Sequence, residues 1–221
     1  MFNSIKKSTK NNWKYIFREI ILLFIGINLA IWFNNWNESN KVNQTKATAI
    51  KNIVEELRSN QTELNEALGN YEMILNAYTE YIGLFKQKKS ELIVSPNRMK
   101  EFQEKHPNFF IIKDSTLVDN YNYKYLGKTK IDMELPLLTN IAWKTTISTN
   151  ISSKLSFECM YQLENVYNLQ GKVMEEVNKA SNSLKKETID ELIRSLKFST
   201  QLGIQLQKEY KETERKIKNC S

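Results

Sequence analysis

An unbroken apolar stretch lies near the start of the chain. It runs from Ile20 to Phe33, and no charged residue follows it until Glu38. Extended to residues 13–36, it forms a helix of about 36 Å, which is enough to cross the roughly 30 Å hydrocarbon core of a bilayer. Side chains typical of a membrane interface lie towards its two ends: Trp13, Tyr15, Arg18, Trp32 and Trp36. The pattern predicts a transmembrane helix over residues 13–36.

A second pattern follows this helix without an intervening proline. Apolar positions recur at alternating steps of four and three residues, which is the spacing of a heptad seam. The seam positions are Ile50, Val54, Leu57, Gln61, Leu64, Leu68, Tyr71, Leu75, Tyr78, Ile82 and Phe85. We therefore predict a long helix within residues 37–93, packed along one stripe. The polar Gln61 is either a register-setting residue or a local gap facing water.

The next segment, residues 94–135, is the least helical part of the sequence. Ser95 and Pro96 form a helix-start signature for a short helix over about residues 97–104. Residues 109–112 and the alternating tyrosines at 121, 123 and 125 then indicate short strands or extended pieces. Helical pattern is predicted again near Pro136, with a further helix capped by Ser156 and a chain reversal near Ser183.

Together these patterns predict a mainly α protein. Its expected parts are a basic segment (1–12), the transmembrane helix (13–36), the heptad helix (37–93), an irregular or β-containing insertion (94–135) and the returning helices (136–221). The helices outside the membrane would form an elongated antiparallel bundle of three or four helices. All three prolines lie between residues 96 and 136, so the rest of the chain lacks the strongest helix breaker.

The distribution of charge predicts how the chain is oriented across a membrane. Residues 1–33 contain five basic side chains and one acidic side chain, whereas the rest of the chain mixes both signs. Basic residues favour the cytoplasmic side, so we expect a signal-anchor with its amino terminus inside and residues 37–221 in the periplasm or another extracytoplasmic space. A cleaved signal peptide is disfavoured, because its only candidate cleavage site, at residues 28–30, is followed by bulky side chains. The basic flank and the interfacial aromatic residues disfavour a buried core helix. The basic block suits anionic lipid, and no clustered basic face indicates nucleic acid.

The sequence contains few candidate catalytic or metal-binding residues. His106 is the single histidine, and its polar turn predicts a surface or loop position rather than a metal ligand or base. Glu55–Glu56 and Glu175–Glu176 are adjacent pairs that diverge by about 100° on a helix, so they cannot share a proton. The sequence predicts no catalytic residue, cofactor or metal. The tyrosines at 121–125 either stack on sugars or bases or belong to a small sheet on the side of the bundle.

Two further features concern contacts. Gly26 and Ala30 form a small-xxx-small pair with Asn28 between them, a combination that permits close helix association and a homo-oligomer. Cys159 and Cys220 are the two cysteines. With a reversal near Ser183 they would be offset by about 20 Å along the helices, so we expect no disulfide between them.

The membrane segment resembles a known family. Glu19-Ile20, Gly26-Ile27, Ala30 and the run from Asn34 to Glu38 are similar to the "GEI…GI…A…NNWNE" anchor of small single-pass proteins of unknown function, found mostly in Bacteroidetes. The close match covers about residues 14–38, with a looser likeness at Ala142–Trp143. Arg18 stands where glycine is usual, and Asn28 and Trp32 are unusual within the span. The resemblance implies an inner-membrane protein facing the periplasm and implies no activity.

These observations predict a membrane-anchored envelope protein that binds other envelope proteins as a non-catalytic interaction or scaffolding module. A ligand-sensing helical module acting through a partner is the alternative. An anchored enzyme fits least, because no convergent polar constellation is visible in the sequence.

Overall fold

The computed structural model describes residues 9–85 and 92–220. This part of the chain is mainly helical, with a small three-stranded sheet, as the sequence predicts. The helices are α1 (Thr9–Gly83), α2 (Pro96–Lys105), α3 (Ile141–Ser148), α4 (Phe157–Lys185) and α5 (Ile189–Ile217). The strands are β1 (Ile93–Val94), β2 (Phe110–Leu117) and β3 (Tyr123–Thr129).

Helix α1 is one continuous element of 75 residues. The sequence has no proline or glycine between Gly26 and Gly69, so nothing in this stretch favours a break between the apolar segment and the heptad segment. The side chains of residues 13–39 are exposed, and full burial begins at Ile50. α1 is the one helix of the described chain that is long and apolar enough to cross a membrane, judged by length and composition.

Full burial along α1 follows the predicted seam from Ile50 to Tyr71, except that Asn60 is buried in place of Gln61. Beyond Tyr71 the buried residues are Ile74, Ala77 and Leu84, whereas the predicted seam residue Ile82 is 48% exposed. A straight helix has 3.6 residues per turn, so a strict seven-residue repeat drifts by about 20° per heptad around its surface. The predicted seam is therefore wrong at Ile82, whereas Leu75, Tyr78 and Phe85 are partly buried and pack against the apolar clusters.

Helices α1, α4 and α5 share the main apolar core, with α5 packed against both of the others. Leu163, Leu192, Leu196 and Leu206 are fully buried there. Gly203 of α5 faces Leu68 of α1, and a Cβ at position 203 would lie 2.7 Å from Leu68 Cδ2. Glycine at this point lets α1 and α5 approach closely.

The two cysteines form a disulfide, so the prediction of no bridge is wrong. α4 continues through Ser183 to Lys185, and the chain reverses at residues 186–188, where Glu187 adopts a left-handed backbone (φ 56°). A turn centred at Glu187 rather than Ser183 reduces the offset between Cys159 and Cys220 from thirteen residues to five, and Cys220 lies in the short 3-10 turn after α5. Their Cα atoms are 6.1 Å apart, within the range that a disulfide needs.

The insertion forms a smaller unit beside the distal part of α1. Its strands are ordered β1-β3-β2 and all pair antiparallel, with a bulge at Lys113 in β2. As predicted, Ser95 caps α2, its hydroxyl accepting a hydrogen bond from Arg98 N. A second apolar cluster fills the space between sheet, α2 and α1, and its buried members are Ala77, Leu84, Leu92, Val94, Met99, Phe102, Phe109 and Phe110.

Residues 131–140, here called the strap, link β3 to α3 without regular structure. The prediction of helix from Pro136 is wrong, since α3 begins only at Ile141. Pro136 disfavours helical geometry in the residue before it. The strap's main-chain groups instead bond to side chains of α1, which decides in favour of the extended form.

Candidate functional site

The predicted membrane-interface residues lie towards the two ends of the exposed part of α1. Trp13 and Trp32 are each 64% exposed, Trp36 is 53% exposed, and Tyr15 and Arg18 are also exposed. In water such a surface would be costly, because every large apolar side chain from Ile16 to Phe33 faces solvent. The segment therefore requires apolar surroundings or a partner.

The predicted self-association residues are also on this exposed helix. Nothing lies within 4 Å of a Cβ placed at Gly26, and Ala30 is exposed. Asn28 donates from Nδ2 to the carbonyl oxygen of Phe24 at 2.7 Å, so one of its donors is already used within α1. At 100° per residue, Gly26 and the buried Leu64 lie about 200° apart around α1. A helix–helix contact between two chains at Gly26 would therefore not involve the side of α1 that packs against α4 and α5.

Asparagine side chains of α1 hold the strap. Asn70 donates from Nδ2 to the Asp132 carbonyl at 3.1 Å and accepts from Glu134 N at 3.0 Å. Asn60 does the same at Thr139, donating at 2.7 Å and accepting at 2.8 Å. An asparagine amide offers one donor side and one acceptor side, so it pairs with a main chain as another peptide group would.

Two carboxylates of α1 accept further hydrogen bonds from the strap and from the start of α3. Glu63 accepts from Leu137 N at 3.2 Å. Near the start of α3, Glu56 accepts from Ala142 N at 2.9 Å and from the Tyr167 hydroxyl at 2.6 Å. A carboxylate is favourable there because the first turn of a helix has unpaired N–H groups and a positive dipole end. Burial, together with this bond to Glu56, holds the pKa of Tyr167 far above its usual value.

Asn60 also joins a buried polar cluster between α1, α4 and α5. Its Nδ2 lies 3.1 Å from Gln170 Oε1, which accepts from the Tyr210 hydroxyl at 2.8 Å. Gln170 Nε2 in turn donates to the Thr139 carbonyl at 2.9 Å. Every polar group in the cluster has a partner, and none is a free acid, base or nucleophile. Its chemistry is that of positioning the strap.

The buried Asn60 takes the seam slot that the sequence pattern assigns to Gln61. Asn60 is 1% exposed and Gln61 is half-buried. The steps from Leu57 to residue 60 and on to Leu64 are three and four, so the spacing allows either residue. A signal for Asn60 was therefore present in the sequence, but its partner Thr139 is 79 residues away.

An open groove lies where the strap begins, between α1 and the turn that follows α2. Its volume is about 420 Å³. Ile74, Ala77 and Phe109 supply buried apolar surface, and Met73 is an exposed apolar side chain beside it. The polar lining residues are Asn76, Glu80, Lys105, His106, Asn108, Lys130 and Asp132.

His106 lines this groove from the turn after α2, where the sequence predicts a surface or loop histidine. Its side chain is 11% exposed, and Nε2 lies 3.0 Å from Glu80 Oε2. The ring also contacts Phe102, with centroids 5.2 Å apart. Lys105 pairs with the other oxygen of Glu80, and hydrogen bonds from Lys105 and His106 hold the pKa of Glu80 below its usual range. The loop position of His106 is therefore as predicted, and Glu80 and Phe102 fix the orientation of its ring.

Tyr123 and Tyr125 belong to strand β3, as one of the two interpretations predicts, whereas Tyr121 lies outside the strand. Tyr125 packs against the second apolar cluster, and its ring lies 6.3 Å from that of Tyr123. Tyr121, at 80% exposed, is the outlying member. The described residues contain no group of three or more His, Cys, Asp or Glu side chains arranged to hold a metal ion.

No protein-family model, no curated protein and no solved structure matches the chain. The resemblance of residues 14–38 to a family of membrane anchors stays a prediction.

Proposed function

We propose that the chain is a single-pass membrane protein with its amino terminus in the cytoplasm and its helical core in the periplasm. The observation that carries this proposal is the continuity of α1. One helix joins an exposed apolar segment of membrane-spanning length to the packed core without a break. Such a connection would hold the core at a fixed height above the bilayer, as an elongated antiparallel bundle.

The disulfide supports this orientation. Bridges persist in oxidising compartments such as the bacterial periplasm and are rare in the cytoplasm. Cys159 and Cys220 join the start of α4 to the end of α5. That end of the core faces the apolar segment of α1, because Lys218, two residues before Cys220, lies beside Ala47 and Ile50. The bridge would thus close the membrane-proximal end of the bundle.

We further propose that the outer region acts by binding other envelope proteins rather than by catalysis. The buried polar cluster supports this, since the amides of Asn60 and Gln170 are engaged in holding the strap at Thr139. The exposed hairpin of β2 and β3, with Tyr121 near its end, and the groove at Met73 both offer apolar surface to a partner.

Sided labelling tests the topology. In a chain carrying Cys159→Ala and Cys220→Ala, Phe157→Cys places a single thiol at a site that is 78% exposed. A membrane-impermeant maleimide should label it in intact spheroplasts, whereas a cysteine in an amino-terminal tag should react only after lysis. The reverse labelling pattern would overturn the orientation.

Photo-crosslinking tests the interaction role. A benzophenone side chain at Tyr121, Met73 or Phe157 in the full chain should form discrete adducts with envelope proteins in native membranes. Adducts absent from all three positions would contradict a role in binding proteins.

A further inference from the structure

We propose that the groove beside Met73 binds an extended polypeptide segment of a partner protein, by the same main-chain recognition that holds the strap. This inference rests on the proposed interaction function and specifies its partner chemistry. The recognised groups would be a peptide N–H and C=O, with one apolar side chain seated on Ile74, Ala77 and Phe109.

The position of the groove is the first argument. Ile74 and Ala77 follow Asn70 by about one and two turns, and both lie within about 40° of it around α1. Ile131 and Asp132, the first residues of the strap, line the groove. The groove therefore continues the track along which α1 already binds an extended chain, beyond the point where the strap enters it.

The available hydrogen-bonding groups are the second argument. Asn76 comes from α1 and Asn108 from the turn after α2, and both side chains are exposed and line the groove. Neither amide has a hydrogen-bond partner within residues 9–85 and 92–220. Asn60 and Asn70 show that an asparagine amide of this protein can pair with a main chain. Asn76 lies about 120° around α1 from Asn70, at the side of the groove away from the strap. Asn108 has a left-handed backbone (φ 70°), which asparagine tolerates better than most residues.

The charges are the third argument. Glu80 is paired with Lys105 and His106, and Lys130 lies 2.8 Å from Asp132. These pairs leave the rim close to neutral, so it lacks the concentrated positive charge that a phosphate or nucleotide would need. A neutral peptide main chain with an apolar side chain matches an apolar floor flanked by unpaired amides.

Binding of defined peptides to the full-length protein in nanodiscs tests the proposal. The probes are fluorescent pentapeptides in which a central residue X, either leucine, phenylalanine, aspartate or lysine, is flanked by two alanines on each side. The leucine and phenylalanine probes should bind, and the charged probes should bind more weakly. In the double variant Asn76→Ala, Asn108→Ala, affinity should fall by at least about ten-fold, the loss expected from two hydrogen bonds.

Two controls separate main-chain recognition from other causes. Asn52→Ala changes an exposed asparagine of the same helix, about 36 Å from Asn76 along the axis, and should leave affinity unchanged. Methylating the main-chain nitrogen of X should weaken binding as much as the double variant does. If no probe binds, or if binding survives both methylation and the double variant, the groove is not a main-chain site and the proposal fails.

The crosslinking positions distinguish this failure from failure of the proposed function. Adducts from Tyr121 or Phe157 with none from Met73 would leave the interaction function standing and remove the groove from it. Adducts from Met73 should map to one extended segment of the partner, and its synthetic peptide should repeat the loss of affinity in the double variant.

Discussion

The disulfide allows the sharpest test of how the core is held together. Replacing Cys159 and Cys220 by alanine opens a loop whose ends are 61 residues apart in sequence. In the chain-entropy model, a bridge over a loop of this size stabilises the folded state by about 4 kcal/mol, because it restricts the unfolded chain. The double variant should lose most of that amount.

Tryptophan fluorescence of a fragment covering residues 38–221 measures this loss. Trp143 is the sole tryptophan in the fragment. It is 4% exposed and stacks on Tyr167 of α4, with ring centroids 6.1 Å apart, so unfolding should change its emission. With a urea slope of about 2 kcal/mol per molar, a loss of about 4 kcal/mol lowers the unfolding midpoint by about 2 M.

Reduction provides the matched control. Wild-type fragment unfolded under reducing conditions should show a midpoint close to that of the double alanine variant. A midpoint lowered by less than about 0.5 M, or about 1 kcal/mol at that slope, would refute the reasoning about loop closure. Two free thiols in the non-reduced protein, detected by mass spectrometry, would show that the ends of α4 and α5 do not meet.

Three further predictions follow from the packing of α1. Leu68→Ala should destabilise the same fragment by about 2–5 kcal/mol, because it leaves a cavity in the core. Glu66→Ala, on the exposed side of α1, should have little effect. Equal unfolding midpoints in urea for the two variants would contradict the packing described. Gly26→Ile should abolish any homodimer that crosslinks in membranes, because it blocks close helix approach; a surviving dimer would place the contact elsewhere. The hydrogen bond from Arg58 is the main cause that lowers the pKa of Glu214 below the usual 4.5. The ion pair therefore stabilises the fold above about pH 4.5, and this stabilisation is lost as the pH falls further. Glu214→Gln should flatten the decline of the unfolding midpoint in acid, and parallel curves for variant and wild type would show that the pair contributes nothing.

The candidate site was only partly predictable. Ser95 and Ser156 mark helix starts through contacts three residues away, so sequence alone locates them. Asn60 and Asn70 were not predicted, because asparagine within a helix is usually no more than a poor helix former. Their role depends on Thr139 and Asp132, more than sixty residues ahead in the chain. The spacing of residues around the two asparagines does not predict which segment of main chain, distant in sequence, will pack against their side chains.

Local sequence patterns were sufficient to predict the long apolar helix, the mainly helical fold class and the irregular insertion. These follow from interactions between residues a few positions apart, which depend on hydrophobic spacing, capping residues and prolines. The exact turn between α4 and α5 was decided by how two long helices pack. A shift of a few residues there brought Cys159 and Cys220 close enough to form a disulfide. The extended strap was decided in the same way, since its main-chain groups are satisfied by side chains of α1 that become neighbours only in the folded chain.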